Sequence, residues 1–90
     1  MTMINQTVDV NAFFFRNGTV RRTNGSQEIK TYPRQIQFGN RQYTFQDGLR
    51  HLVRRGHEVF ELFDMTDGRT TFRLAQLRGE WRLIGTKASS

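Results

Sequence analysis

The chain has 90 residues, enough for one domain and too few for a second core. Hydrophobic residues make up 36%, and with no cysteine there are no disulfides, thiolate metal sites or cysteine nucleophile. The net charge is +6 and twelve of the fourteen basic residues are Arg, the side chain that forks onto phosphates and stacks on bases, so the balance points to an anionic partner.

Residues 1–7 and 86–90 are polar or small and are expected to fray, leaving residues 8–85 as a single domain. The first eleven residues lack a basic region followed by an apolar core, so no secretory signal is read. The longest apolar run of the chain, Ala12–Phe15, is far short of a membrane span. A cytoplasmic protein is the expectation.

Turn signals divide the rest of the chain. Asn17-Gly18, Asn24-Gly25, Gly39-Asn40, Asp67-Gly68 and Arg78-Gly79 separate short runs rich in Phe, Tyr, Val, Ile and Thr, the pattern of an antiparallel β domain. Strands are predicted at 8–16, 19–23, 29–38 and 41–45, with segment 23–28 as the most loop-like interior stretch. In the Gly39-Asn40 hairpin Phe38 should face Arg41, and Ile36 should face Tyr43. Ile36, Phe38, Tyr43 and Phe45 then share one face, and Gln35, Gln37, Gln42 and Thr44 the other.

A short helix is predicted at 46–55. Phe45, Leu49, Leu52 and Val53 follow an apolar helical stripe, Asp47 offers an N-terminal cap partner for Thr44, and Gly56 suits the C′ position after Arg54 and Arg55. Gly48 opposes it by about 1 kcal/mol. Strands at 57–65, 70–77 and 80–85 then form a meander. The Asp67-Gly68 turn should pair Phe63 with Phe72 and Leu62 with Arg73.

Two registers are open for the last hairpin. A two-residue Arg78-Gly79 turn sets Leu74 opposite Leu83 and Gln76 opposite Trp81, and places Arg73 and Arg82 on one face beside Phe60, Leu62 and Ile84. A three-residue loop flips the last strand, so that Trp81 joins Phe60 and Leu62. The predicted core is Phe13, Phe15, Ile36, Phe38, Tyr43, Phe45, Leu49, Leu52, Phe63, Phe72, Leu74, Trp81 and Leu83. The predicted fold class is α+β: a bent antiparallel sheet or partly open barrel-like roll of six to seven short strands with one short helix.

The candidate site is a nucleic-acid-binding surface formed by Arg50, Arg54, Arg55, Arg73 and Arg82, with Arg21, Arg22 and Arg69 as further cations. Single-strand binders combine such cations with aromatic platforms, and Phe14, opposite in phase to Phe13 and Phe15, is the candidate platform. Each feature has a plainer reading. Phe14 can lie under another element, and Arg50, His51, Arg54, Arg55 and His57 can be a solvated face. No RNP, KH or zinc-finger pattern is present.

His51 and His57 lack metal-binding spacing, the carboxylates lack calcium-loop spacing, and Ser26, Ser89 and Ser90 lack a nucleophile context. No enzyme activity, cofactor or metal is therefore expected. The alternative is a protein-interaction or homodimerisation domain that uses an exposed sheet edge and does not bind nucleic acid.

The segment Tyr32-Pro33-Arg34 to Tyr43, followed by Asp67-Gly68, Phe72-Arg73-Leu74 and Trp81-Arg82-Leu83, resembles short bacterial proteins of unknown function. These carry a Pro-Arg, aromatic-x-Gly-Arg-x-Tyr hairpin and a meander ending in Trp-x-Leu. Here Phe38 directly precedes Gly39, and Asn40 intervenes before Arg41, so the hairpin departs from that pattern. The resemblance covers residues 32–84, implies a compact β-rich domain, and implies no activity.

Overall fold

The structure, a computed structural model, describes residues 1–17 and 29–88, with the side chains of 16, 17, 29 and 30 left aside. The strand predicted at 19–23, the loop at 23–28 and Arg21 and Arg22 lie outside the described residues. The described chain is all β. Its strands are β1 (Thr2–Thr7), β2 (Asp9–Asn17), β3 (Ile29–Phe38), β4 (Arg41–Thr44), β5 (Asp47–Arg55), β6 (Glu58–Thr66), β7 (Thr70–Leu77) and β8 (Glu80–Ala88). Segments expected to fray, residues 2–7 and 86–88, are therefore strand.

The strands form two antiparallel sheets, one ordered β1-β8-β7-β6-β5 and one ordered β2-β3-β4. The chain crosses between them at two corners. At the first, the Val8 N–H donates to the Trp81 carbonyl (3.0 Å) as β1 gives way to β2. At the second, the Phe45 N–H donates to the Arg34 carbonyl (2.7 Å) and the Gln46 N–H to the Thr66 carbonyl (2.8 Å), joining β4 to β5. Each strand thus pairs with a neighbour in a path that runs around the molecule, a roll rather than a flat sheet. A bulge on β8 adds curvature: Leu74 faces Leu83 but Arg73 faces Gly85, so Ile84 is an extra residue.

The α+β expectation fails at 46–55, which is the strand β5. It pairs with β6 over its full length, from Asp47 opposite Thr66 to Arg55 opposite Glu58. The misleading signal was Gly56. Its φ of +62° suits a helix C′ residue, but it also suits the first central position of a two-residue hairpin turn, and Gly56-His57 takes the second role. The supposed helical stripe does not hold together either. Phe45 is buried at the corner, while Leu49 and Leu52 are 65% and 67% exposed on opposite faces of β5.

The other hairpins sharpen the picture. The β3–β4 pairing is the one expected, with Ile36 opposite Tyr43 and Phe38 opposite Arg41. The last hairpin has the two-residue turn: Arg78 and Gly79 both have positive φ (54° and 82°), Leu77 faces Glu80, and Gln76 faces Trp81. The β6–β7 register is shifted by two residues from the expected one. Phe63 faces Leu74 and Met65 faces Phe72, because the Asp67 carboxylate accepts from the N–H groups of Arg69 (2.9 Å) and Thr70 (2.8 Å) and moves the turn one residue on. A shift of two keeps every side chain on its expected face.

The core lies between the two sheets. Ile36, Phe45, Phe63, Phe72, Leu74 and Leu83 are buried as expected, joined by Val8, Tyr32 and Met65, with Phe38, Tyr43 and Trp81 packed at the margin. Tyr32 meets the Phe63 ring edge-on at 5.9 Å, and Phe63 also touches Trp81 at 5.2 Å. Four residues leave the predicted core: Phe13, Phe15, Leu49 and Leu52 are exposed. Alternation along β2 is unbroken from Val8, and because Val8 and Val10 face the core, Phe14 does too and stacks on Tyr32 at 5.4 Å. The irregular pairing around Ala12 is local and leaves the register on its two sides the same.

Candidate functional site

The outward face of the five-stranded sheet carries the polar chemistry. Cross-strand register lays Leu49, Asp64, Arg73 and Gly85 in one row and His51, Leu62, Ala75 and Arg82 in the next. Val53 lies opposite Phe60, and Arg55 opposite Glu58. Arg55, Arg73 and Arg82 therefore share this face, as the two-residue turn requires. Arg50 and Arg54, in opposite phase on β5, are on the other face, and Phe14 belongs to the smaller sheet.

Most of these arginines are already committed to acceptors. Arg73 forks onto Asp64, with Nε to Oδ1 at 2.8 Å and Nη2 to Oδ2 at 3.1 Å, and His51 Nε2 approaches Oδ2 at 3.5 Å. The Arg73 hydrogen bond, against some opposing desolvation, holds the Asp64 carboxyl below its usual range, and the same pair raises the Arg73 pKa. Arg50 forks onto Glu61 at 2.8 and 3.1 Å.

Arg82 donates to Asn5 Oδ1 and the Asn5 carbonyl, to Thr7 Oγ1 and to Glu80, tying β1 to β8. Arg78 pairs with Glu58 at 2.9 Å on the surface. Arg54 and Arg55, at the β5–β6 hairpin end, are exposed and form no ion pair with a carboxylate among the described residues.

Two depressions mark the outward face. One, of about 460 Å³, is lined by opposed charges, Asp47 and Asp64 against Arg73 and Lys87, with Thr66 and Thr71 between them. The other, of about 410 Å³, has an apolar floor of Phe60, Ala75 and Leu77. Arg55, Arg78 and Arg82 stand around it with Glu58 and Glu80.

Phe60 packs on no other aromatic ring among the described residues, unlike Phe14, Phe63 and Phe72. The sequence reading placed Phe60 on this face without assigning it a role. The missed signal was the Gly56-His57 turn, which brings Arg55 into register with Glu58 two residues from Phe60.

Among the described residues no three His, Asp or Glu side chains gather closely enough to hold a metal ion, and no helix is long and apolar enough to cross a membrane. Comparison with protein-family models, curated proteins and solved structures finds no match to this chain.

Proposed function

We propose that the protein is a non-enzymatic binding module for an anionic partner, with nucleic acid the partner its chemistry fits best. The observation that carries this reading is the contrast among the arginines. Four are neutralised by carboxylates, whereas Arg34, Arg41, Arg54, Arg55 and Arg69 are exposed with no carboxylate pair among the described residues. Of these, Arg54 and Arg55 are adjacent at one hairpin end of a chain with net charge +6. A guanidinium without a carboxylate partner can fork onto a phosphate without first breaking an ion pair. The cysteine-free sequence fits a reducing compartment, and the cytoplasm is the proposed setting.

The test is binding of labelled single- and double-stranded oligonucleotides across a salt series. Log affinity should fall with log salt, by about 0.7 per phosphate contact on a single strand and about 0.9 on a duplex. Arg54→Glu with Arg55→Glu should remove two contacts, flattening the slope by roughly 1.5. Absence of binding by the unmodified protein at low salt would refute the reading.

A second reading is favoured by the edge position of β5, which exposes Leu49 and Leu52. A strand of another protein, or of a second copy, can add to such an edge. Sedimentation of the protein alone separates the two, since nucleic-acid binding by a monomer leaves homodimerisation without support.

A further inference from the structure

We infer that the groove over Phe60 seats an unstacked nucleobase, so that the protein binds single-stranded nucleic acid in preference to duplex. The inference rests on the nucleic-acid reading above and assigns its ligand class. An apolar floor of Phe60, Ala75 and Leu77 has nothing to offer a phosphate; it suits a flat, weakly polar ring. The groove's volume of about 410 Å³ falls in the usual range for small ligands, about 300–1,000 Å³.

The rim supplies the complementary part. Arg55 forms no ion pair among the described residues and lines the same groove, so a phosphate next to the seated base meets a cation at the rim. Arg78 adds a second guanidinium group, whose pair with Glu58 is solvent-exposed and weak and can be exchanged for phosphate. Arg82, by contrast, stays tied to β1 and forms part of the wall.

The neighbouring depression lacks this combination, because its charges balance and its lining has no aromatic ring. In a duplex each base is stacked and paired and its face cannot reach Phe60. A free strand can turn a base out at little cost.

Fluorescence anisotropy with labelled oligo(dT) and with a duplex of equal length tests this. The unmodified protein should bind oligo(dT) more tightly than the duplex. Phe60→Leu, which keeps the apolar floor without the aromatic face, should weaken oligo(dT) binding about five- to a hundredfold, and Phe60→Trp should restore it. Trp81, packed at the core margin against Phe63, reports whether each variant is folded.

Equal affinity of Phe60→Leu and the unmodified protein for oligo(dT) overturns the inference. If Arg54→Glu with Arg55→Glu still weakens binding in that case, the anionic-partner reading stands alone. Equal or tighter duplex binding also overturns the inference. No binding of either probe overturns both.

Discussion

Substituting Gly48 by Ala distinguishes a helical from an extended 47–55 segment by the sign of its effect. In a helix the change would add about 1 kcal/mol of stability. In β5, Gly48 faces Met65, a fully buried side chain, and its position admits no Cβ. A methyl group there would lie 2.7 Å from Met65 Cε and 2.9 Å from the Asp64 carbonyl, with Met65 Sδ nearer still.

The thioether could swing aside only by displacing packed core neighbours. The Asp64 carbonyl is backbone in a paired strand and can yield only by shifting β6. Overpacking of this kind costs about 1–3 kcal/mol. For a domain this small, that lowers Tm by about 5–20 °C. Urea unfolding followed by Trp81 fluorescence and by far-ultraviolet circular dichroism gives the difference. A Gly48→Ala protein as stable as the unmodified one, or more so, would refute the strand packing described for β5.

Arg78→Asn should stabilise by about 0.5–1 kcal/mol in chemical denaturation. Asn takes the positive φ of a two-residue turn before Gly more readily than Arg, and the exposed Arg78–Glu58 pair lost in exchange contributes little. Phe63→Ala should cost about 3–5 kcal/mol by the same measurement, since its ring fills the space between Tyr32 and Trp81.

Acid titration should show stability falling as the pH drops below the ordinary Asp value of 3.8. Asp64 and Asp67 both have lowered pKa values in the fold, the first chiefly through Arg73 and the second through the Thr70 and Arg69 N–H groups. Their contribution is therefore complete at neutral pH and is lost as the pH falls through the folded values. Asp64→Asn should make that acid slope shallower, and an unchanged slope would show that the Arg73 pair does not contribute.

The parts of the fold that were legible in the sequence are those in which local turn chemistry and side-chain alternation agree. In the β3–β4 hairpin, Gly39-Asn40 sits between two strands whose apolar residues fall in phase, and one register satisfies both. In β5 the two signals separate. Its apolar residues have helical spacing, and the residues that make it a strand are on β6, beyond the turn. What decides the matter is non-local: β6 needs a second neighbour, and Gly48 fits under Met65 only in an extended chain. Phe13 and Phe15 are a different case. Alternation counted from Val8 and Val10 is unbroken along β2 and sets Phe14 inward, and within an all-aromatic Phe13–Phe15 run only that upstream phase shows which ring is buried.

The candidate site was legible only to the level of faces. The expected β6–β7 register set Arg73 opposite Leu62, which left its guanidinium with no evident acceptor. A shift of two residues keeps Arg73 on the same face but sets it opposite Asp64, and a free cation becomes a forked ion pair. The side chain responsible is Asp67, whose carboxylate captures two backbone N–H groups and relocates the turn. One turn carboxylate thus determines which arginine is available to a phosphate. Counting basic residues cannot separate Arg73 from Arg55, because the difference lies in the register that places a carboxylate beside one and an apolar groove beside the other.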